Sequence, residues 1–416
     1  MQNDKQMKTI LLLTYQISPY KGSESSVGWN YVVNMSRDNR LVVIYGFDKI
    51  DIQHYLSLNS LPNVLFVHIE SASLIGHGLI HDINYNFNYR KWHKKAYKKG
   101  KEIISNEKID LIHYLNPIGF KEPSFMWKLD KPYIWGPMQG VENRPFKLYK
   151  ALSIKEKINA LGRRIVHNGM LRLMFRVKIA VRKADVIFAA TPNTQKQLES
   201  IYNKTSIYLP ENGILNFEGK EPVIYNDGIL NLIWVGRIDE RKALGILLES
   251  LTKLKSKSFC LNVVGSGPKL EILNRFAKIN GLVDKIVWHG QIDRAQVQQI
   301  FKRSHLHIIT SLGEGNPTII WEAMANAIPT MSLDHCGMSG VICDKCGIKI
   351  PIRSFSQVVD DIAIHISNII EDPKIIQKLS KGVIECSEKY MWNEKRIQIF
   401  NEAYENAILN YKNRNS

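Results

Sequence analysis

An apolar run, HLHIIT at 305–310, ends in Ser311. It then turns through Gly313-Glu314-Gly315-Asn316 and Pro317 into TIIWEAMANA, whose apolar positions recur at helical spacing. That sequence spells a buried strand, a tight glycine loop and the start of a helix. Asn316 suits the N-cap, and Pro317 suits the first turn, where its missing N–H costs nothing. Such an arrangement aims the unpaired N–H groups near Asn316 and Thr318, and the positive end of the helix dipole, into a crevice suited to phosphate. Two carboxylates, Glu314 in the loop and Glu322 in the helix, sit among small and apolar residues. An ionised carboxylate only accepts hydrogen bonds, so each could clamp vicinal hydroxyls of a sugar. Spacing alone equally allows a solvated loop residue and an ordinary helix-surface residue.

The strand–glycine loop–helix pattern recurs. TILLLTY (9–15) runs into QISPYKGSESSVG and a helical segment, so Gly22 and Ser23 either bring backbone close to a ligand or belong to an ordinary strand-to-helix loop. ILNLIWVGRIDERKALGILLESL (229–251) restarts it, with Arg237 and Lys242 in the loop after the strand. Arg237 offers a planar fork for phosphate oxygens and Lys242 a point charge, unless Asp239 and Glu240 simply hold them as a surface salt-bridge loop. A third glycine turn, VGSGPKLE, has Leu270 where the dinucleotide fingerprint needs its third glycine, which counts against an NAD enzyme. At 416 residues the chain is too long for one ordinary core, and two domains are expected.

The glutamate pair, the Glu314-Gly315-x-Pro317 turn, the following EAMA-x-A-x-P and the VGR-x-x-x-x-K loop together resemble retaining glycosyltransferases of family 4. The resemblance covers nearly all of the second half and the first half only loosely. It implies an α/β fold of GT-B architecture: two Rossmann-like doubly wound domains facing a cleft, with a C-terminal helix crossing back near Met391-Trp392. The expected domains are an acceptor-binding domain at 1–214 with the helix 392–411, and a nucleotide-sugar domain at 215–391. Donor binding falls to Gly22, Ser23, Gly236, Arg237, Lys242, Glu314, Gly315, Asn316, Pro317, Thr318 and Glu322. Arg237 and Lys242 stabilise the departing diphosphate, Glu314 holds donor sugar hydroxyls, and Glu322 holds the ribose. Glu314, Arg237 and Lys242 are the catalytic set. No cofactor is expected, the nucleotide-diphosphate sugar being the donor substrate, and no metal, since two cations and a helix dipole already meet the diphosphate.

Two places depart from the family pattern. Relatives often carry His-x-His where this chain reads His113-Tyr114-Leu115, so His113 reads as a buried, hydrogen-bonded strand residue. Relatives often carry Gly-Gly and a downstream Glu where this chain has Cys336-Gly337-Met338-Ser339-Gly340, which leaves sugar contacts from that loop in doubt.

Charge bears on partners. The net +17 divides unevenly along the sequence: residues 1–210 hold 31 Lys and Arg against 16 Asp and Glu, and the remainder holds 25 against 23. Arg90, Lys91, Lys94, Lys95, Lys98 and Lys99 cluster around Trp92 and Tyr97, and KINALGRRIVHNGMLRLMFRVKIAVRK mixes apolar and basic residues at helical spacing. A basic amphipathic helix is the mark of an interfacial membrane element, unless it packs its apolar side on the domain and solvates its charges. The expectation is therefore a protein at the inner face of a bacterial plasma membrane, cytoplasmic and without a spanning segment, that transfers a sugar to a lipid-linked glycan in capsule or O-antigen synthesis. A nucleotide-sugar epimerase on the same fold would show more acid–base carboxylates and histidines facing the donor. A non-catalytic membrane or nucleic-acid binder would not need the four charged site residues, and no nucleic-acid module is apparent. The five cysteines fit reduced thiols. H-C-x6-C-x2-C at 335–346 could be read as a zinc site but lacks a second paired half.

Overall fold

The apolar strand segments carry no polar alternation, and the reason is visible in the packing. In β1 (Lys8–Thr14), Leu11 and Leu13 enter one buried cluster while Ile10 and Leu12 enter another, so both faces of the sheet are covered. Parallel sheets require this, because their crossover helices lie on both faces. The computed structural model describes residues 7–71, 79–219, 221–226, 228–254 and 257–416, with the side chains of 79–86 outside that description.

The chain forms two units. The first holds β1, β2 (Asn39–Tyr45), β3 (Val64–His68), β4 (Leu111–Asn116), β5 (Tyr133–Met138), β6 (Val186–Ala189) and β7 (Ile207–Tyr208), in the order β3-β2-β1-β4-β5-β6-β7. The second holds β8 (Leu230–Val235), β9 (Phe259–Val264), β10 (Ile286–Gly290), β11 (Leu306–Ile309), β12 (Thr330–Leu333) and β13 (Gly347–Ile350), ordered β10-β9-β8-β11-β12-β13. All named strand pairs are parallel. Strand order reverses between β1 and β4 and between β8 and β11. In doubly wound sheets, ligands bind at the carboxyl ends of strands at such switch points.

The first unit comprises 1–141, 168–212 and 392–416, the second 142–167 and 213–391. Residues 142–167, expected in the first domain, thus group with the second. Leu148, Leu152 and Ala160 bury in the core built on β8 and β9, and Glu240 accepts hydrogen bonds from the Ser153 N–H and hydroxyl. The expected linker at 215–228 is likewise docked: Tyr225 is buried in that core and Val223 N–H donates to Ser380 Oγ at 2.8 Å. Regrouped by folded unit, Lys and Arg against Asp and Glu become 28 to 18 and 28 to 21. The sharp division of charge read along the sequence is therefore softened by the fold.

The C-terminal helix Glu394–Asn415 closes one face of the first sheet with Ile397, Phe400, Ala403, Tyr404 and Ala407. Its Arg396 is buried and donates to the carbonyl oxygens of Pro210 and Asn212 at 2.6 and 3.3 Å.

Candidate functional site

The second unit's switch point is built by the loops after β8 and β11. Leu312 N–H donates to Arg241 O at 2.8 Å, and Thr310 Oγ1 donates to Lys242 O at 2.9 Å. These bonds tie the end of the central strand to the cationic loop, and Glu314, two residues on, meets it. Lys242 Nζ lies 2.7 and 2.9 Å from the two Glu314 carboxylate oxygens, and Arg241 Nη1 bonds the same carboxylate. Glu314's side chain is largely enclosed. Gly236 leaves room for this: a Cβ there would crowd the Lys242 stem at 3.3 Å. Asp239 caps the loop by accepting from Lys242 N–H at 2.9 Å.

Arg237 stands apart from this cluster. Its side chain is two-thirds exposed and its Nε lies 3.8 Å from Asp239, a loose surface pair. Glu240 pairs instead with Lys269 at 2.7 Å. The cation that shares Glu314 with Lys242 is therefore Arg241, which the motif reading passed over; its only sequence signal was adjacency to Lys242.

Asn316 was the expected N-cap, but the helix Thr318–Ala325 begins one residue later. Pro317 occupies the cap position and no side chain closes it. Pro317's extended ψ of 130° sets that boundary. Asn316 is instead buried, and with the Gly315 carbonyl it lies where a Cβ on Gly337 would have to go. The short helix Met338–Val341 thus packs its start directly on the glycine loop. Glu322, a turn into the longer helix, faces Arg294 at 3.3 Å and Gln298 at 3.2 Å. Burial raises its carboxyl pKa, against the opposing pull of Arg294 and Gln298.

Gly22 and Ser23 lie at the other switch point, in the first unit. Gly22 precedes the helix Ser23–Met35, and Ser23 has a positive φ of 56°. The loop is braced by Ser18 Oγ donating to Asp51, by Lys21 on Asp48 and Asp51 at 2.5 and 3.2 Å, and by Ser25 Oγ on Asp48. Gly28 lets that helix approach β1, since a Cβ there would sit 2.6 Å from Gln16 O. The loops after β1 and β4 meet at Glu24, whose carboxylate takes a backbone hydrogen bond from Ile118. Burial, with Glu211 adding like charge, raises its pKa to about 7. Glu24 had no role in the motif reading, because nothing in GSE signals its desolvation.

His113 is fully buried in β4. Nε2 donates to Gly136 O at 2.6 Å, and Nδ1 accepts from Tyr31 Oη at 3.0 Å, with Tyr404 Oη at 3.3 Å. Burial lowers its pKa to about 4. It is a neutral structural histidine. Trp92 is buried in the core, so the basic helix Leu79–Asn106 exposes cations without that ring. The proposed basic run at 157–183 is two helices, Ile154–Leu173 and Phe175–Lys183, broken at Met174. Among the described residues no helix is long and apolar enough to cross a membrane. The cysteine pattern is redrawn as well: Cys336 faces Glu142 and the Glu314 backbone, while Cys343 and Cys346 converge with Cys386.

Residues 230–372 match the family model described as Glycosyl transferases group 1. Protein CapJ of Staphylococcus aureus is 24% identical over 98% of this chain and 96% of its own length. Among solved structures, the lipopolysaccharide outer core galactosyltransferase WaaB superposes with a TM-score of 0.67 at 17% identity, covering 95% of this chain and 98% of that one. Anabaena HepE, solved in complex with UDP-glucose, superposes with a TM-score of 0.60 at 14% identity, covering 95% and 99%. The fold is GT-B.

Proposed function

The second unit carries a glycosyl transferases group 1 domain, and from that premise we propose that the protein is a retaining glycosyltransferase acting in bacterial surface-polysaccharide synthesis. Its donor is a nucleotide-diphosphate sugar and its acceptor a hydroxyl of a lipid-linked glycan. The observation that carries this reading is the Lys242 ammonium seated on both Glu314 oxygens at the switch point between β8 and β11.

The residues divide the work. Lysine has three donors, so Lys242 can keep Glu314 and still meet a phosphate oxygen. Arg241 holds Glu314 from the other side, which fixes its carboxylate for sugar hydroxyls. Arg237, two-thirds exposed, supplies the planar fork for the diphosphate. The helix start at Thr318 adds N–H donors. As the C1–O bond to the diphosphate breaks, charge grows on the leaving oxygen, where these fixed cations act most strongly. The acceptor oxygen bonds C1 on the same face, and its proton passes to the departing phosphate oxygen. No protein nucleophile is required. These protein cations carry the charge stabilisation that a divalent ion would otherwise supply, so transfer is metal-independent.

The acceptor reading rests on the helix Ile154–Leu173. Ile154, Ile158, Leu161 and Ile165 are 77, 66, 45 and 66% exposed and fall at spacings of four, three and four, on one face. Lys155, Lys157, Arg163 and Arg164 interleave with them, and residues 142–167 hold seven basic against two acidic side chains. A solvent-facing apolar stripe among cations suits the headgroup boundary of an anionic bilayer.

The test is a thermal-shift screen against UDP, GDP, ADP, CMP and their common sugar conjugates, since a ligand of the native state raises apparent stability. A shift with one nucleotide diphosphate, lost in Arg237→Ala, is expected. No shift with any of them, in folded protein, overturns the donor site.

A further inference from the structure

Three of the five cysteines meet at a place the transfer reaction does not use. Cys343 and Cys346 bracket a turn between the helix Met338–Val341 and β13, closed by Cys346 and Gly347 N–H groups that both donate to Cys343 O at 3.0 Å. Cys386 comes from the helix Lys374–Ser387. Cys343 Sγ lies 3.4 Å from Cys346 Sγ and 3.4 Å from Cys386 Sγ, and all three sulfurs lie within 4.8 Å of one another. We propose that Cys343, Cys346 and Cys386 bind one Zn²⁺ ion through three thiolates, with the fourth coordination position left to solvent or a small exogenous ligand on the Cys343 side.

The surroundings are shaped for this. Zinc–thiolate bonds of about 2.3 Å in a tetrahedron place sulfurs roughly 3.8 Å apart, so the two separations from Cys343 need to open by only a few tenths of an ångström. A disulfide needs a separation of about 2.05 Å, a larger inward movement, and would strand the third sulfur. Backbone N–H groups are already turned onto sulfur: Cys343 N–H donates to Cys346 Sγ at 3.3 Å, and those of Lys345 and Cys346 face Cys343 Sγ. Such donors offset the surplus negative charge of three thiolates around a dication. Gly382 completes the site, because a Cβ there would overlap Lys345 O. Its bare face lets the cysteine turn lie on the helix one turn ahead of Cys386. Cys346 and Cys386 are buried and Cys343 is half-buried, which leaves one approach for the ion.

The position gives the ion a task that does not depend on the glycosyltransferase reading. The turn continues from the helix Met338–Val341, whose start packs on Gly315 and Asn316. On the far side, the Tyr390 ring lies tilted against Trp321 at 5.3 Å, with its hydroxyl 3.4 Å from Gly340 and Val341 O. Zinc would pin the segment behind the glycine loop to the helix Lys374–Ser387. Binding releases three thiol protons to solvent and adds stability to the folded chain.

The test uses the full chain, reduced, loaded with zinc chloride and desalted. Metal analysis is expected to find one equivalent of zinc per chain, falling close to zero in Cys343→Ser and Cys386→Ser and unchanged in Cys260→Ser. Loading the wild type with Co²⁺ is expected to give a thiolate-to-cobalt charge-transfer band, a readout that needs no variant to fold. Absence of both retained zinc and that band in folded, reduced wild type overturns the site. So does a native mass lower by two hydrogens and without metal, or zinc retained undiminished in folded Cys386→Ser.

Discussion

At the second unit's switch point, the loops after β8 and β11 press two cations, Arg241 and Lys242, onto one carboxylate. At the first unit's switch point, the loops after β1 and β4 enclose a carboxyl, Glu24, whose pKa is raised by burial, with Glu211 adding like charge. The strand order across each point is the same, and the electrostatics are opposite. A doubly wound sheet therefore fixes where a ligand binds but not what it is; the residues in the two loops decide that. The cationic point suits a diphosphate. The acidic point, half-neutralised near neutral pH, suits a hydroxylated molecule that can both give and take hydrogen bonds.

The largest effect should fall on the cationic side. Lys242→Ala removes the charge proposed to meet the leaving group and strands one side of Glu314. A loss of about 10²–10³ in kcat is expected, as for the removal of one preorganised donor. Glu24→Gln should leave the nucleotide-induced thermal shift intact while Lys242→Ala abolishes it. The reverse pattern, measured on folded variants, would break the assignment of diphosphate to the second unit.

A second contrast concerns the apolar stripe on the helix Ile154–Leu173. On that helix Ala160 enters the core, whereas Ile158 and Ile165 face solvent. Ile158→Asp puts a charge where the proposal places acyl chains. Partitioning onto phosphatidylglycerol vesicles is expected to fall about tenfold, which corresponds to roughly 1.4 kcal/mol, with little change in melting temperature. Sedimentation with vesicles checks this; equal partitioning of both proteins would remove the stripe from any membrane role.

Much of this was legible in the sequence, and the misses have physical causes. The loops that hold Arg237, Lys242 and Glu314, and the helix that carries Glu322, could be placed because a strand–loop–helix unit is local, so its positions sit at short fixed distances from the strand end. Arg241 was missed because the motif spacing marks Lys242 alone, and only the fold, with Leu312 N–H on the Arg241 carbonyl, brings both cations onto Glu314. The segment 142–167 was misplaced because Leu148 and Leu152, ahead of the helix, and Ala160 within it are apolar anchors whose sequence pattern does not say which sheet they cover. Cys386 joins Cys343 and Cys346 across 40 residues of sequence, through the packing of a turn on a bare glycine, which no spacing rule encodes.

The acidic switch point offers the smallest and most pointed test. Glu24's carboxyl is raised from 4.5 to about 7, chiefly by burial. A raised carboxyl pKa means the folded state holds the proton more tightly than the unfolded one. This group's contribution to stability is therefore full below its unfolded value, declines as pH climbs from about 4.5 to about 7, and is flat beyond. Glutamine keeps the shape and never ionises. Glu24→Gln should accordingly gain stability relative to wild type between pH 4.5 and pH 8, by about 1 kcal/mol once residual solvent screening of the mostly enclosed side chain is allowed for. Paired melting curves at the two pH values give the difference directly, and they separate two accounts of the first unit's loop. A gain confined to high pH identifies Glu24 as the proton-holding group at that end of the sheet. An equal offset at both pH values would make it an ordinary ionised carboxylate, and the opposition between the two switch points would then rest on the cations alone.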